Sequence, residues 1–270
     1  MKFENTEVWG FKHALRGMRN PKESHHLSDS SFGFYNIYEG DVTPSELLKV
    51  HPNAYIAEKI FDSNGKLVCY KPIIIGENDM KLAQTLIRAG SEHRKFLRQI
   101  FVSVDITAPL YWWKEFDTYK IGTVANSTST MHKMASKPIT IDCFEIDDTD
   151  EYCTFMDGFL GDDGLSADDC ESMIYEFIRF LEGLRQTYLE TKDKRYWKEL
   201  IRWLPESWLQ TRTVTMTYEN LFAMCSKGQR RFHKLNEWSG QDNTSLPNFI
   251  SWARTLPYAQ QFIFIDEENI

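Results

Sequence analysis

In the stretch RQIFVSVDITAPLYWW, residues 98–113, Ile100, Val102, Val104 and Ile106 alternate with Phe101, Ser103, Asp105 and Thr107. Successive side chains of a strand point to opposite faces, so this period of two predicts a β-strand with one buried face. Ala108-Pro109 closes it. Proline has no N–H for a sheet ladder but suits the first turn of a helix. The aromatics Tyr111, Trp112 and Trp113 therefore read as the start of a helix that follows a buried strand. Beyond them the chain changes character: TVANSTST, residues 123–130, is small and rich in hydroxyls around Asn126, with His132 close behind.

Other segments fall around this strand. FKHALRGMRNP has a short helical pattern stopped by Pro21, and a polar loop rich in Ser and His follows it. AYIAEKIFDSNGKLVCYKPIII, residues 54–75, predicts a hairpin, with Asn64-Gly65 as the two positive-φ residues of a type I′ turn. ENDMKLAQTLIRAG predicts a helix that shares Met80, Leu82, Leu86 and Ile87 on one face and ends at Gly90. Ile174, Phe177, Ile178, Leu181, Leu184 and Tyr188 recur at intervals of three and four, with Glu176, Arg179, Glu182 and Arg185 outward, which predicts a long amphipathic helix. RYWKELIRWLPE, TYENLFAMCSKG and LPNFISWARTLPY read as further helices, the last limited by Pro257.

Composition narrows the class. With 42% hydrophobic and 14% aromatic residues, 270 residues can bury a core. No run of about 18 apolar residues predicts a membrane span. The N-terminal MKFENTEVWGFKH lacks the apolar stretch of a secretory signal, so the expected location is the cytoplasm. Cys69, Cys143, Cys153, Cys170 and Cys225 are widely spaced without a Cys-x-x-Cys pair, and read as buried or free thiols. A net charge of −8 argues against a duplex nucleic acid as partner. Residues 142–171 carry twelve acids and no Lys or Arg, yet they lack the ligand spacing of an EF-hand, so the segment reads as a solvated acidic face and no metal is expected.

Cations and aromatics concentrate in two places. His93, Arg94, Lys95 and Arg98 precede the strand, and Lys114, Tyr119, Lys120, His132 and Lys133 follow it. The second cluster, SKGQRRFHKLNEW, holds Arg230, Arg231, His233 and Lys234 beside Gly228. Either set can hold a phosphate-bearing ligand, although charge alone favours a solvated surface for each. Walker, Gly-x-Gly-x-x-Gly, zinc and nucleophile motifs are all missing, so the residues alone point to an anion-binding αβ domain.

The segment APLYWWKEFDTYKIGTVANSTSTMHK resembles the flavin-dependent thymidylate synthases, which methylate dUMP with a reduced flavin and a folate. In that family a strand ends in Ala-Pro, and a helix leads, eleven residues after the Pro, to the end of an Arg-His-Arg triplet, followed by Asn-Glu-x-Ser-x-Arg-Tyr. Here Lys120 lies eleven residues after Pro109, so Thr118-Tyr119-Lys120 stands at the triplet, and Asn126 and Ser129 match the later stretch with one residue inserted. The Glu, Arg and Tyr of that stretch are not matched. Downstream, WLPESWLQTRTVTMTYENLFAMC resembles the family's Leu-Pro, Thr-Arg and Asn-x-Arg-x-Leu succession, with Arg212 at the Thr-Arg position. Arg231 precedes Trp238 by seven residues, as the family's uracil-facing Arg precedes a Trp, and AGSEHRKF is similar to its Gly-His-x-Thr-Pro motif.

The resemblance implies one domain over 1–270, α+β, with a twisted, mainly antiparallel sheet flanked by helices, a hairpin insertion near 51–75 and an acidic insertion near 142–171. It implies that Arg231 polarises the base. Arg212, Ser129, Asn126, Arg230 and Glu115 would bind substrate, and His93, Thr118, Tyr119 and Lys120 would approach the cofactor. The implied ligands are FAD, a dUMP-like pyrimidine nucleotide, and NADPH and methylenetetrahydrofolate as co-substrates, with a homotetramer whose sites form between subunits. Thr118 in place of Arg removes a bidentate cation and Lys120 retains only a point charge. Three readings follow: a flavin enzyme transferring a one-carbon unit or hydride to the base, a nucleotide-binding homologue without flavin or turnover, and a structural or assembly protein.

Overall fold

A computed structural model describes residues 1–146, 167–225, 230–242 and 245–267. Most of the acidic stretch 142–171, and Gly228 with its neighbours, lies outside these residues. The strands are β1 (Lys2–Trp9), β2 (Tyr35–Asn36), β3 (Tyr55–Phe61), β4 (Leu67–Ile73), β5 (Phe101–Pro109), β6 (Val124–Ser127) and β7 (Leu209–Thr217). Helices α1 (Phe11–Arg19), α2 (Pro44–Val50), α3 (Glu77–Arg88), α4 (Leu110–Phe116) and α5 (Thr130–Lys133) precede the long α6 (Ala167–Thr191). After it come α7 (Lys194–Arg202), α8 (Tyr218–Met224), α9 (Asn236–Ser239), α10 (Phe249–Arg254) and α11 (Ala259–Phe262).

The fold is α+β: antiparallel sheets flanked by helices. One sheet has the order β1-β5-β7-β6, the other β2-β4-β3. Strand β5 matches its periodicity, since Val102, Val104, Ile106 and Ala108 are buried and the residues between them only partly so. Its other face is polar and pairs with β7 by hydroxyl contacts at Thr107–Thr211 (2.7 Å), Thr213 Oγ1 to Asp105 (2.5 Å) and Thr215 Oγ1 to Ser103 (3.3 Å). Partner numbers that rise on one strand as they fall on the other mark the two as antiparallel.

The chain forms two compact units. The first comprises Met1–Phe3, Asp105–Thr118 and Ala125–Thr213. Its core gathers Met134, Ile139, Phe144, Leu181 and Leu200, with Phe177, Ile178 and Leu184 from α6 packed on them. Leu181 is fully buried, so Leu181→Ala would cost about 2–5 kcal/mol through lost burial and the cavity left behind. The second comprises Glu4–Val104, Tyr119–Val124 and Val214–Ile270. In it Phe11 of α1 meets Tyr218, Tyr258 and Phe262 at ring-centroid distances of 5.5, 5.9 and 6.2 Å, while Leu47, Tyr70 and Ile74 form a smaller core beneath the hairpin.

Two sequence expectations are corrected. The hairpin β3–β4 forms, but its turn is not type I′. Gly65 alone has positive φ (75°), and the Gly65 N–H donates to the Asp62 carbonyl (3.0 Å). Asp62 Oδ1 also accepts from the N–H groups of Asn64 and Lys66, both at 2.9 Å. An Asp that bonds its own downstream backbone favours a type I turn closed by one left-handed glycine. In α3 the buried positions are Asp79, Ala83 and Ile87, a stripe displaced from the apolar one. Asp79 causes the displacement: it accepts from Arg19 Nε (2.5 Å) and from the hydroxyls of Ser28 and Ser30 (2.6 Å each), and those bonds hold a carboxylate inside.

Candidate functional site

In the first unit, β7 carries Arg212 and Gln210 on one face because residues two apart on a strand share a face. Arg212 lies with its guanidinium carbon 4.2 Å from the centroid of the Trp113 ring, a cation–π contact. Its Nε donates to Gln210 Oε1 (3.0 Å) and its Nη1 to Asp117 (3.1 and 3.3 Å). Among the described residues its Nη2 has no partner. Gln210 in turn donates to the Thr128 carbonyl (2.9 Å), and the Gln210 carbonyl accepts from Trp113 Nε1 (2.9 Å). The Thr128 N–H donates to the Thr211 carbonyl (2.9 Å). Arg212 is thus fixed by an aromatic plate, an amide and a carboxylate, and Gln210 links it to the residue before Ser129.

Ser129 lines a cleft of about 460 Å³ in the same unit, with Thr130, Lys133, Lys137, Trp208 and Gln210 on its walls. That volume lies in the range of small-molecule sites. Glu115 and Thr118 stand near Asp117 in sequence, and the Thr118 hydroxyl donates to the Glu115 carbonyl (2.8 Å). Asn126 is exposed on β6. Four residues of this region are not among the sequence candidates, Trp113, Asp117 and Gln210 as supports of Arg212 and Lys137 as a cleft residue, whereas Lys133 belongs to the first cationic cluster. The signal for Gln210 was its spacing of two from Arg212, visible only once β7 is known to be a strand.

The loop carrying the two lysines is tied to α6 by Glu182 and Arg185, which corrects the expectation that both face outward: Arg185 is buried, and their mutual ion pair lets the two charges pack against the loop. Glu182 accepts from the Ile139 N–H (2.8 Å) and from Arg185 Nε and Nη2 (2.7 and 2.6 Å), while Arg185 Nη1 donates to the Ala135 carbonyl (3.1 Å). The Arg185 hydrogen bonds lower the Glu182 carboxyl to about 2 against the desolvation that opposes them.

The second unit holds Arg231, Arg230, Tyr119, Lys120 and His93. Arg231 is interior, at 4% exposure. Its Nη2 pairs with Asp266 (2.6 Å), its Nη1 with Glu267 (3.0 Å), and its Nε donates to the Cys225 carbonyl (3.0 Å). Each nitrogen of the guanidinium is occupied. Arg230 stacks on Tyr119 at 3.8 Å and donates to the Ala223 carbonyl (3.0 Å), and Tyr119 meets Trp238 edge-on at 5.6 Å. Lys120 is exposed, and its carbonyl accepts from the Thr123 N–H (2.9 Å) and hydroxyl (2.8 Å). His93 is exposed at the start of the short turn Arg94–Gln99. Arg94 is occupied by Glu219 (3.1 Å to both oxygens) and by the Phe222 ring (4.4 Å). Burial pushes the Cys225 thiol far up, so it offers no nucleophile.

No family model matches the chain, and no curated protein matches it. Solved structures do. The flavin-dependent thymidylate synthase ThyX from Helicobacter pylori, complexed with FAD and dUMP, is 14% identical with a TM-score of 0.54, covering 98% of this chain and 99% of its own. A second structure of that enzyme with FAD and dUMP has the same identity and TM-score over 98% of both chains. A UMP/dUMP methylase, PolB from Streptomyces cacaoi, aligns at 14% identity with a TM-score of 0.47, over 98% of this chain and 96% of that one. At this identity the likeness is one of fold.

Proposed function

We propose that the protein binds a pyrimidine nucleotide of the dUMP kind, with Arg212 as the principal phosphate donor in the first unit. The observation that carries this reading is the fixation of Arg212: Trp113, Gln210 and Asp117 orient its fork, Nη2 is left open, and Gln210 connects it to the strand end at Ser129. A planar fork held this way suits a phosphate, because less rotamer freedom is lost on binding. Support also comes from the shared fold, since the thymidylate synthase structures with that fold hold dUMP. Asn126, Glu115 and Arg230 belong to the proposed substrate set by the sequence match, and a homo-oligomer, tetrameric in the resembled family, would complete the site between subunits.

The positions matched to the flavin-holding triplet do not fit a flavin diphosphate within one chain. The Thr118 hydroxyl is used by the Glu115 carbonyl, the Tyr119 ring is covered by Arg230, and Lys120 is a single exposed cation. In the reading so supported, the chain binds nucleotide without redox turnover.

A second reading keeps FAD and transfers a one-carbon unit or hydride to the base, with NADPH and methylenetetrahydrofolate as co-substrates and Arg231 polarising the pyrimidine. The fold shared with FAD-bearing structures favours it. Arg231 would first have to exchange Asp266 and Glu267 for the base. The deciding experiment is the visible spectrum of the purified protein before and after FAD is added, with dUMP titrated into each sample by calorimetry. Nucleotide binding without a flavin band supports the first reading. A flavin band that shifts with dUMP supports the second, and no dUMP binding in either sample overturns both.

A further inference from the structure

Among the unmatched positions of the stretch that begins at Asn126, Met131 stands where the resembled family carries an Arg, and its backbone carbonyl accepts from Trp197 Nε1 (2.9 Å). We infer that Lys133 and Lys137 make the cleft beside Ser129 a phosphomonoester site, an assignment that rests on the nucleotide reading above and adds two residues to it. Both lysines line the cleft with the hydroxyls of Ser129 and Thr130, the Ser136 hydroxyl being used by the Lys133 carbonyl (2.5 Å), and among the described residues no Asp or Glu lines it. Among the described residues neither lysine is paired with a carboxylate.

The positions of the lysines follow from their neighbours. Lys133 follows Ser129 by one turn, and its N–H donates to the Ser129 carbonyl (3.0 Å), so both lie on the same side of α5. Met134 and Ile139 are core residues at 4% and 3% exposure, and they pin the backbone on either side of Lys137. Between these anchors the loop is tied to α6 by the Ala135 carbonyl on Arg185 and the Ile139 N–H on Glu182. Two cations on a fixed loop, in one cleft with Ser129, Thr130 and an aromatic wall at Trp208, match a dianionic phosphate carried on a ring system. Lysine supplies a point charge where the arginine would supply a fork, so two lysines are needed and the affinity depends strongly on salt.

The test is calorimetry with inorganic phosphate, dUMP and deoxyuridine on the wild type, on Lys133→Ala/Lys137→Ala and on Lys133→Arg/Lys137→Arg. The lysines are exposed, so an unchanged thermal melt serves as the folding control. The expected result is a loss of dUMP and phosphate affinity of at least tenfold in the alanine variant, recovery in the arginine variant, and no change for deoxyuridine. If dUMP binds the alanine variant as it binds the wild type, the cleft assignment is overturned while the nucleotide reading stands. If phosphate binds through the lysines but dUMP does not bind, the cleft assignment holds and the nucleotide reading fails. A wild type that binds neither overturns both.

Discussion

Arg212 and Arg231 carry the same side chain, came from the same kind of sequence match, and live in opposite environments. Arg231 is 4% exposed, with two carboxylates and a carbonyl on its three nitrogens. Arg212 is 17% exposed at the side chain and shares itself among an aromatic ring, an amide and the half-exposed Asp117, with one nitrogen open. A buried ion pair that uses every donor braces the fold, because removing one member strands the others. An arginine oriented by weaker partners and still partly exposed keeps a donor open, which is why we propose Arg212 for the nucleotide. Charge and spacing in the sequence are alike for the two, and the difference lies in what surrounds them.

The largest expected effect breaks that comparison. Arg231→Ala should destabilise the protein by about 2 kcal/mol, less than a fully buried pair would cost because Asp266 is 38% exposed and Glu267 keeps Arg254; urea unfolding of wild type and variant measures it. Intact stability with lost dUMP binding would instead place Arg231 on the nucleotide. Arg212→Ala should do the reverse. Its dUMP affinity should fall by tenfold or more, the worth of a charge-assisted bond, while the melting temperature moves by only a few degrees. Calorimetry beside a thermal melt separates the two outcomes, and a variant that unfolds without losing affinity would make Arg212 a brace as well.

Glu182 sharpens the comparison as a pair between these extremes. Its folded carboxyl is held at about 2, below the ordinary value of about 4.5, so the stabilisation is complete above pH about 4.5 and lost as the pH falls toward 2. With its side chain 20% exposed, the gain is about 1–2 kcal/mol. Glu182→Gln should melt lower than wild type at neutral pH, and the two melting curves should converge near pH 2; a constant gap down to that pH would exclude the carboxylate as the cause. The smallest effect belongs to Arg230→Ala, about 1 kcal/mol for a half-buried cation–π contact on Tyr119. That variant also uncovers the Tyr119 ring, so a rise in FAD affinity measured by absorbance would favour the flavin reading.

Strand β5 and the helix α6 were legible because each has one apolar face, and their periods of two and near 3.6 are printed in single residues. The strands β1, β6 and β7 were not read. In β7, Thr211, Thr213, Thr215 and Thr217 make one face polar, and only Val214 and Met216 are apolar and fully buried on the other. That polar face is satisfied by Thr107, Asp105 and Ser103 on β5, partners distant in sequence. Strand β1 lies at a sheet edge and is largely exposed, so it has no stripe to see. The hairpin was legible as a pair of strands, while its turn type depended on whether Asp62 or Asn64 commanded the backbone.

What the sequence by itself determined is therefore the set of elements with a one-sided apolar pattern, the order of motifs that resembles a thymidylate synthase, and the types of residue available for an anion. Local periodicity and spacing carry that information because they depend on neighbours a few residues away. Only the tertiary structure decided which cations remain available. Asp266 and Glu267 close around Arg231, Asp117 and Gln210 orient Arg212, and Lys133 and Lys137 meet Ser129 at one cleft. The physical reason is that a charge is defined by its desolvation and its partners, and both are set by parts of the chain that only folding brings together.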